Sequence, residues 1–325
     1  MLRSLTAWFA LLLLLATACG SSDSAATTSP PLPSNTVADT TATTAVPAPD
    51  PFPVVIGDDV GETTVESRPV RIAALSATHV EMLFAMGAGK AVVAGDLYSN
   101  YPAEAANLTL VDSFNLNLEA LIDLDPDLVI LSFDPGEAVA ALDAVGIPTL
   151  LYGTATDLDG VYQQIAALGA ATGHATEAAD LRAEMEASVA AVVADVGAAG
   201  EGVSYYHETD PFSFYTPNSK SFIGTLYALL GMENIADEAP DEFGSGFPQL
   251  SPEYIIAADP EIIFLGGAFE DADTVAARDG WGSMKAVSAR QVVVLDYDMA
   301  SRWGPRVPEL LRTMAAGLQT YTEER

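Results

Sequence analysis

The chain has 325 residues, of which 45 are acidic and 13 are basic, so its formal net charge is −32. Such an acidic surface repels phosphate backbones and anionic lipid headgroups, which excludes nucleic acid as a partner and a basic patch as a membrane anchor. The chain has a single cysteine, so no disulfide forms within it and its stability depends on burial of apolar surface.

The amino-terminal residues have the pattern of an export signal. Arg3 precedes the apolar run 11–15, and small residues then lead to Cys19. This stretch is too short for a mature membrane span. Residues 15–19, Leu-Ala-Thr-Ala-Cys, resemble the bacterial lipobox, which implies cleavage after residue 18 and lipidation of Cys19. An ordinary secretory signal with a small buried cysteine nearby is the alternative.

Residues 19–53 are rich in Ser, Thr, Ala and Pro and have few large apolar side chains. Such a segment cannot bury enough surface to offset its loss of conformational entropy. We therefore predict a signal peptide over 1–18 and a disordered tether over 19–53, which its prolines keep extended.

The following residues alternate between short apolar runs and helical patterns. Runs of strand type lie at 71–75, 91–95, 128–131 and 147–151, and helical patterns lie at 76–86, 118–124 and 137–145. Alternation of this kind predicts parallel strands joined by crossover helices. The pattern predicts an amino-terminal lobe over 69–172.

A second block repeats this order. It has strand patterns at 203–207 and 261–265 and helical patterns at 221–230 and 252–257. In each block a helix leads through an Asp-Pro step, Asp125-Pro126 or Asp259-Pro260, into a buried strand. The match predicts a carboxy-terminal lobe over 199–325 of similar construction.

Between the two blocks, residues 176–196 have the period of one amphipathic helix. Its length of about 30 Å, at 1.5 Å per residue, is enough to run across both lobes and to hold their separation nearly fixed. We predict that this bridging segment extends over 173–198.

Several motifs occur in one order over about residues 69 to 320, and together they resemble the class III substrate-binding proteins of ABC importers. The motifs are Arg71-Ile-Ala-Ala-Leu-Ser, Asn117-Leu-Glu, Pro126-Asp-Leu-Val-Ile, Gly146-Ile-Pro, Ser221-Phe-Ile-Gly, Pro248-Gln-Leu-Ser-Pro-Glu and Gly304-Pro-Arg. The resemblance implies an α/β fold of two lobes with mostly parallel sheets, one long rigid helix joining them and a ligand cleft between them. It also implies a binding protein without enzymatic activity or cofactor, which takes up metal chelates such as ferric siderophores, haem and cobalamin.

Within that family the segments Leu97-Tyr98-Ser99-Asn100-Tyr101-Pro102 and Ser113-Phe114 resemble those of the vitamin B12-binding proteins. This likeness implies that four aromatic residues line the cleft: Tyr98, Phe114, Phe133 and Phe247. The first three also lie just after a predicted strand or in the loop beyond it, where ligands of open α/β sheets bind. The alternative for any single Phe is a place in the core.

Three further residues are candidate ligand contacts. Arg302 and Trp303 precede Gly304-Pro-Arg, and His207 ends a predicted strand. Arg302 is expected either to pair with an acidic group of the ligand or to form a structural ion pair. The scarcity of basic residues favours a weakly charged ligand such as a cobamide over an anionic siderophore.

Glu119 and Glu253 occupy equivalent positions in the two lobes. In the family such glutamates form salt bridges to arginines of the two permease subunits, which implies a docking role here. Each also begins a predicted helix, where a carboxylate interacts favourably with the helix dipole. The two roles are compatible.

The three histidines His79, His174 and His207 are far apart in the sequence, so no metal site is predicted. We predict a monomeric, lipid-anchored protein at the outer face of the cytoplasmic membrane. It would capture cobalamin or a ferric siderophore and deliver it to an ABC permease dimer. The alternatives are a bare-metal or haem receptor and a chelatase-like enzyme that uses the same cleft.

Overall fold

The computed structural model describes residues 51–267 and 271–323. The predicted signal peptide, Cys19 and most of the predicted tether lie outside the described residues.

The amino-terminal lobe has a five-stranded parallel sheet with the strand order β5-β4-β3-β6-β7. Its central strands β3 and β6 are buried at every residue, which explains their continuous apolar sequence. In chain order the lobe contains β1 (Val54–Asp58), β2 (Gly61–Val65), β3 (Ile72–Leu75), α1 (Ala77–Ala85), β4 (Val92–Asp96), β5 (Thr109–Val111), α2 (Leu118–Asp123), β6 (Leu128–Leu131), α3 (Ala138–Ala144), β7 (Thr149–Leu151) and α4 (Leu158–Thr172).

The antiparallel hairpin β1–β2 precedes the predicted boundary of this lobe at residue 69 but packs on its edge strand β7. The backbone N–H of Asp59 donates to the carbonyl of Leu151 at 3.0 Å, and the Asp58 carboxylate accepts from the N–H of Leu151 at 3.1 Å. Thr63 Oγ1 donates to the carbonyl of Thr149 at 2.9 Å. The hairpin therefore covers a sheet edge that would otherwise expose unpaired backbone groups.

The second sheet is also parallel, with the order β11-β10-β8-β9. Both sheets thus confirm the predicted α/β class. After α5 (Ala175–Val196) the chain forms β8 (Ser204–Glu208), α6 (Phe222–Leu229), β9 (Glu233–Asn234), α7 (Pro252–Ala258), β10 (Ile262–Leu265), α8 (Ala272–Ala276), α9 (Lys285–Ser288), β11 (Val292–Val294), α10 (Tyr297–Ala300) and α11 (Val307–Glu323).

The Asp-Pro step has the same geometry in both lobes. Asp125 and Asp259 each end a helix in the left-handed region, with φ of 51° and 48°. The acid after the proline, Asp127 or Glu261, then accepts a 2.9 Å hydrogen bond from the backbone at the start of β3 or β8. The repeated sequence pattern therefore marks a repeated turn that sets a central strand in place.

Helix α5 lies against α4 of the first lobe and α11 of the second. Its 22 residues span about 33 Å at 1.5 Å per residue. The Gln319 amide donates to the Asp195 carboxylate at 2.7 Å, which fixes the end of α11 on α5. Both lobes thus rest on one continuous helix.

A buried carboxylate also joins the two lobes. Glu81 of α1 is 1% exposed, and its Oε1 atom accepts from Arg302 Nη1 at 2.6 Å and from Arg306 Nη2 at 2.7 Å. Arg306 Nε donates to the other oxygen at 2.9 Å. One acid of the first lobe therefore holds two guanidinium groups of the second, and we name these three residues the lobe junction.

Further contacts extend the lobe junction. Arg302 Nη2 donates to the carbonyl of Tyr98 at 2.8 Å, and Asn100 Nδ2 donates to Asp298 Oδ2 at 2.7 Å. The Arg306 guanidinium lies 4.3 Å from the ring centroid of Tyr101. The loop that carries Tyr98 is thus attached to the opposite lobe at three points.

We predict that Glu81→Gln lowers the free energy of unfolding by about 3 kcal/mol, because it removes the buried carboxylate to which both Arg302 and Arg306 donate. Urea unfolding at pH 7 measures the change. Glu104→Gln is the matched control, since Glu104 is exposed and its removal should change stability by less than about 0.5 kcal/mol. Equal effects of the two variants would contradict a stabilising role for the lobe junction.

Candidate functional site

The candidate site begins where parallel strands end. Tyr98 follows β4, Phe114 follows β5 and Phe133 follows β6. These parallel strands end on the same side of the sheet. The chain winds from β3 through β4 to β5 and then crosses to β6 on the other side of β3, so its direction of winding reverses between β3 and β6. Such a switch point opens a crevice beyond the carboxyl ends of the strands.

Aspartates hold two of these aromatic residues in place. Asp96 Oδ1 accepts from the N–H of Tyr98 at 2.8 Å, and Asp112 Oδ1 accepts from the N–H of Phe114 at 3.0 Å. The hydrogen bonds from the Asn115 side chain and backbone, with that of Phe114, lower the pKa of the Asp112 carboxyl. Each Asp-x-aromatic turn therefore fixes the backbone of its aromatic residue relative to the strand before it.

Two adjoining cavities of about 500 and 320 Å³ lie beyond the carboxyl ends of these strands, and we name them together the cleft. Tyr98, Phe114 and Phe133 line the larger cavity, whereas His207 and Phe247 line the smaller. Both cavities are lined by Thr154, Tyr297, Ser301, Arg302 and Trp303. The structure thus brings all seven predicted ligand-contact residues to the cleft, although their contact with a ligand stays a prediction.

The four aromatic residues predicted from the family likeness are not core residues. Phe114 is 68% exposed and Phe133 36%, and their ring centroids are 5.2 Å apart. Tyr98 and Phe247 are 57% and 39% exposed. Aromatic side chains that face a cavity provide a large contact area for a flat apolar ligand.

His207 lies beneath the smaller cavity as a neutral group. It is 1% exposed, and its Nδ1 atom lies 2.9 Å from the Tyr227 hydroxyl. Burial lowers the pKa of the His207 imidazole to about 3. It therefore adds no positive charge to the cleft at neutral pH.

The geometry of Arg302 matches the structural ion pair, one of its two predicted roles. Its side chain is 6% exposed and is bound to Glu81, Asp298 and the carbonyl of Tyr98. Trp303 is the next residue, and its indole N–H donates to Gln164 Oε1 at 3.0 Å. Both residues line the cleft from the second lobe while they bind groups of the first.

Sequence reasoning did not identify Tyr297, Asp96 and Asp298, which also line the cleft. Tyr297 is 46% exposed and follows β11 as Tyr98 follows β4. Its position beyond a strand could have identified Tyr297 as a candidate cleft residue. The repeated Asp-x-aromatic pattern at 96–98 and 112–114 could likewise have identified Asp96.

The two glutamates with a predicted docking role lie in matching places. Glu119 is in the first turn of α2, which the Asn117 side chain caps, and Glu253 is in the first turn of α7, which Ser251 caps. Both glutamates are exposed. Each carboxylate thus projects from the amino-terminal end of an equivalent helix.

Within residues 51–267 and 271–323 no group of three His, Cys, Asp or Glu side chains is placed to hold a metal ion. The helices in this same part of the chain include none that is long and apolar enough to cross a bilayer.

The sequence profile of the periplasmic binding protein family matches residues 72–299. The chain belongs to this family. The matched region covers the two sheets from β3 to β11 and the cleft residues up to Asp298.

Individual relatives extend over most of the chain. An uncharacterized ABC transporter substrate-binding lipoprotein of Bacillus subtilis, YvrC, is 27% identical over 283 residues, which cover 83% of this chain and 87% of the relative. A cobalamin-binding protein of Halobacterium salinarum is 29% identical over 284 residues, or 83% of this chain and 75% of the relative.

Solved structures have the same fold. The vitamin B12-binding protein BtuF of Vibrio cholerae superposes with a TM-score of 0.67 at 22% identity, covering 78% of this chain and 98% of that one. The haem-binding protein RhuT of Roseiflexus sp. RS-1 in its apo form gives the same TM-score and coverage at 25% identity.

Proposed function

We propose that this protein is the extracytoplasmic substrate-binding component of an ABC importer and that it captures a cobalamin-type metal chelate in the cleft. The observation that carries the proposal is the set of aromatic side chains that line two adjoining cavities at the carboxyl ends of the strands. A corrin is a broad, flat and largely apolar body, and such a wall fits it with few polar contacts.

The relatives support this ligand class without settling it. Their names include cobalamin-binding and vitamin B12-binding proteins, and the similar structures include vitamin B12-binding and haem-binding proteins. The neutral state of His207 and the bound state of Arg302 favour the chelate of lower charge. Cobalamin is therefore proposed ahead of haem and of the ferric siderophores.

Capture would occur with little closure of the lobes. The lobe junction and α5 both connect the lobes, and separation of the lobes would take both guanidinium partners away from the buried Glu81 carboxylate. Breaking such a buried pair costs several kcal/mol. The ligand would therefore enter a cleft whose width is already set.

Delivery would use one carboxylate on each lobe. Glu119 and Glu253 are exposed at equivalent helix ends, which suits a two-lobed protein that docks on a permease dimer through arginines.

Lipidation of Cys19 completes the proposed arrangement, because an anchored protein on a tether stays at high effective concentration near its permease. Its expected chemistry is thioether-linked diacylglycerol, which mass spectrometry of the protein from membranes would detect and which Cys19→Ser would abolish.

Titration with cyanocobalamin, haemin and ferric siderophores, followed by tryptophan fluorescence, tests the ligand class, with Trp303 at the cleft as reporter. We predict that Phe133→Ala weakens cyanocobalamin binding by about tenfold, since it removes an aromatic contact of about 1.4 kcal/mol. Phe212→Ala is the control, because Phe212 is 89% exposed and lines neither cavity. Equal affinities of both variants and the wild type would contradict the assignment of the cleft.

We predict that the double variant Glu119→Lys/Glu253→Lys abolishes ligand-dependent stimulation of the permease ATPase in proteoliposomes while cyanocobalamin affinity changes less than about twofold. The reversed charges would repel the arginines expected on the permease. The matched control reverses two other exposed acids, Glu104→Lys/Asp180→Lys. A loss of cyanocobalamin affinity in the first variant would instead place the two glutamates in ligand binding.

A further inference from the structure

The cleft contains very little positive charge. Among the described residues that line its two cavities, the charged side chains are Asp96, Asp298 and Arg302, and His207 is neutral. Two acids therefore face one base. The whole chain also has more acidic than basic residues. In the cleft, this excess of negative charge acts directly on a bound ligand.

Arg302 is not available to an anionic ligand. Its Nη1 atom donates to Glu81 at 2.6 Å, and its Nη2 atom donates to Asp298 Oδ1 and to the carbonyl of Tyr98, each at 2.8 Å. The side chain is only 6% exposed. Three of its five N–H donors are therefore already used and the guanidinium is nearly enclosed, so it is a poor contact for a carboxylate or catecholate in the cleft.

The two acids differ in what they offer. Asp96 is 4% exposed, and its two oxygens accept from the N–H of Tyr98 and from the hydroxyl of Ser113. The side chain of Asp298 is 32% exposed. Asp298 is thus the acid that is both in the cleft and accessible to a ligand.

Asp298 also lies at a point that links both walls of the cleft. It is part of the short helix α10, and it accepts from Asn100 of the first lobe at 2.7 Å through Oδ2 while Oδ1 binds Arg302. Its charge balances that of Arg302, and the charge of Asp96 then leaves the residues that line the cleft with a net negative charge. The two effects act in the same direction against an anion.

We propose that Asp298 is a specificity-determining residue that excludes anionic chelates, such as haem with its propionates and catecholate ferric siderophores, from a cleft that accepts neutral or cationic ones. This inference rests on the proposed function. It adds to it a residue that rejects related ligands of similar size by charge, since an unfavourable charge contact is an effective means of discrimination.

The variant Asp298→Asn tests this role. Asparagine keeps an oxygen that can accept from Arg302, and rotation of the Asn100 amide lets its oxygen accept from the new amide group, so both contacts of the side chain can form while the charge is removed. We expect haemin and a ferric tris-catecholate to bind about tenfold more tightly to the variant than to the wild type, an effect typical of one unit charge at close range. The ratio of the affinity for these anions to the affinity for cyanocobalamin, which has no net charge, should therefore rise about tenfold.

Two controls distinguish a charge effect from a change of shape. Asp298→Glu keeps the charge and should not gain affinity for the anionic probes, whereas Asp180→Asn removes an exposed charge on α5 and should leave all affinities unchanged. The wild type alone provides a third measurement. Its affinity for the tris-catecholate should rise as ionic strength increases from about 0.02 M to about 0.5 M, because salt screens the repulsion.

The outcomes separate the two proposals. If the wild type binds cyanocobalamin but binds the anionic probes equally well, or if Asp298→Asn leaves their affinities unchanged, the role of Asp298 is wrong and the proposed function stands. A wild-type affinity for the tris-catecholate that falls with salt would also contradict the role of Asp298. If the wild type binds no chelate at all, the proposed function fails and the inference fails with it.

Discussion

The buried carboxylate of Glu81 is the constraint on which the cleft depends. It accepts three hydrogen bonds from Arg302 and Arg306 of the other lobe, and an unpaired charge at such a buried position would cost several kcal/mol. The lobes therefore cannot separate by a small hinge motion without a large loss of stability. Together with α5, which contacts helices of both lobes, this ion pair fixes the distance between the two walls of the cleft before any ligand arrives.

The same interaction determines the charge of the site. A guanidinium group at a cleft floor is usually a strong contact for carboxylates and catecholates, but here Glu81 and Asp298 occupy Arg302. The arginine consequently acts as a structural element that orients the neighbouring Trp303 and the loop of Tyr98. The guanidinium group thus contributes to the wall of the cleft, but its pairing with two carboxylates lowers its affinity for an anionic ligand.

The sequence predicted the elements whose local pattern agrees with their place in the fold. The strand at 128–131 was predicted with the bounds that β6 has, and the helix at 176–196 differs from α5 by one residue. Helices α4 and α11 were not predicted, and both contain interior glycine, which weakens a helical pattern. The structure explains both cases: a Cβ atom on Gly169 would lie 2.3 Å from Ala178, and one on Gly317 would lie 2.6 Å from Val293. The close packing of α4 and α11 therefore requires glycine, although glycine has a low intrinsic helix propensity.

In the candidate site, too, the sequence predicts the features that depend on local pattern and not those that depend on distant contacts. Tyr98 and Phe133 could be placed from sequence because each follows a predicted strand, and the position beyond a strand is a local property. Phe114 follows β5, a strand of three residues that the sequence pattern did not predict. The state of Arg302 could not, since its partner Glu81 is 221 residues away and Tyr98 is 204 away. No local pattern distinguishes an arginine that binds a ligand from one that holds two lobes together. In a cleft of fixed width, ligands cannot be selected by how far the lobes close, so selection must come from the chemistry of the walls, and that chemistry is set by contacts between residues distant in sequence.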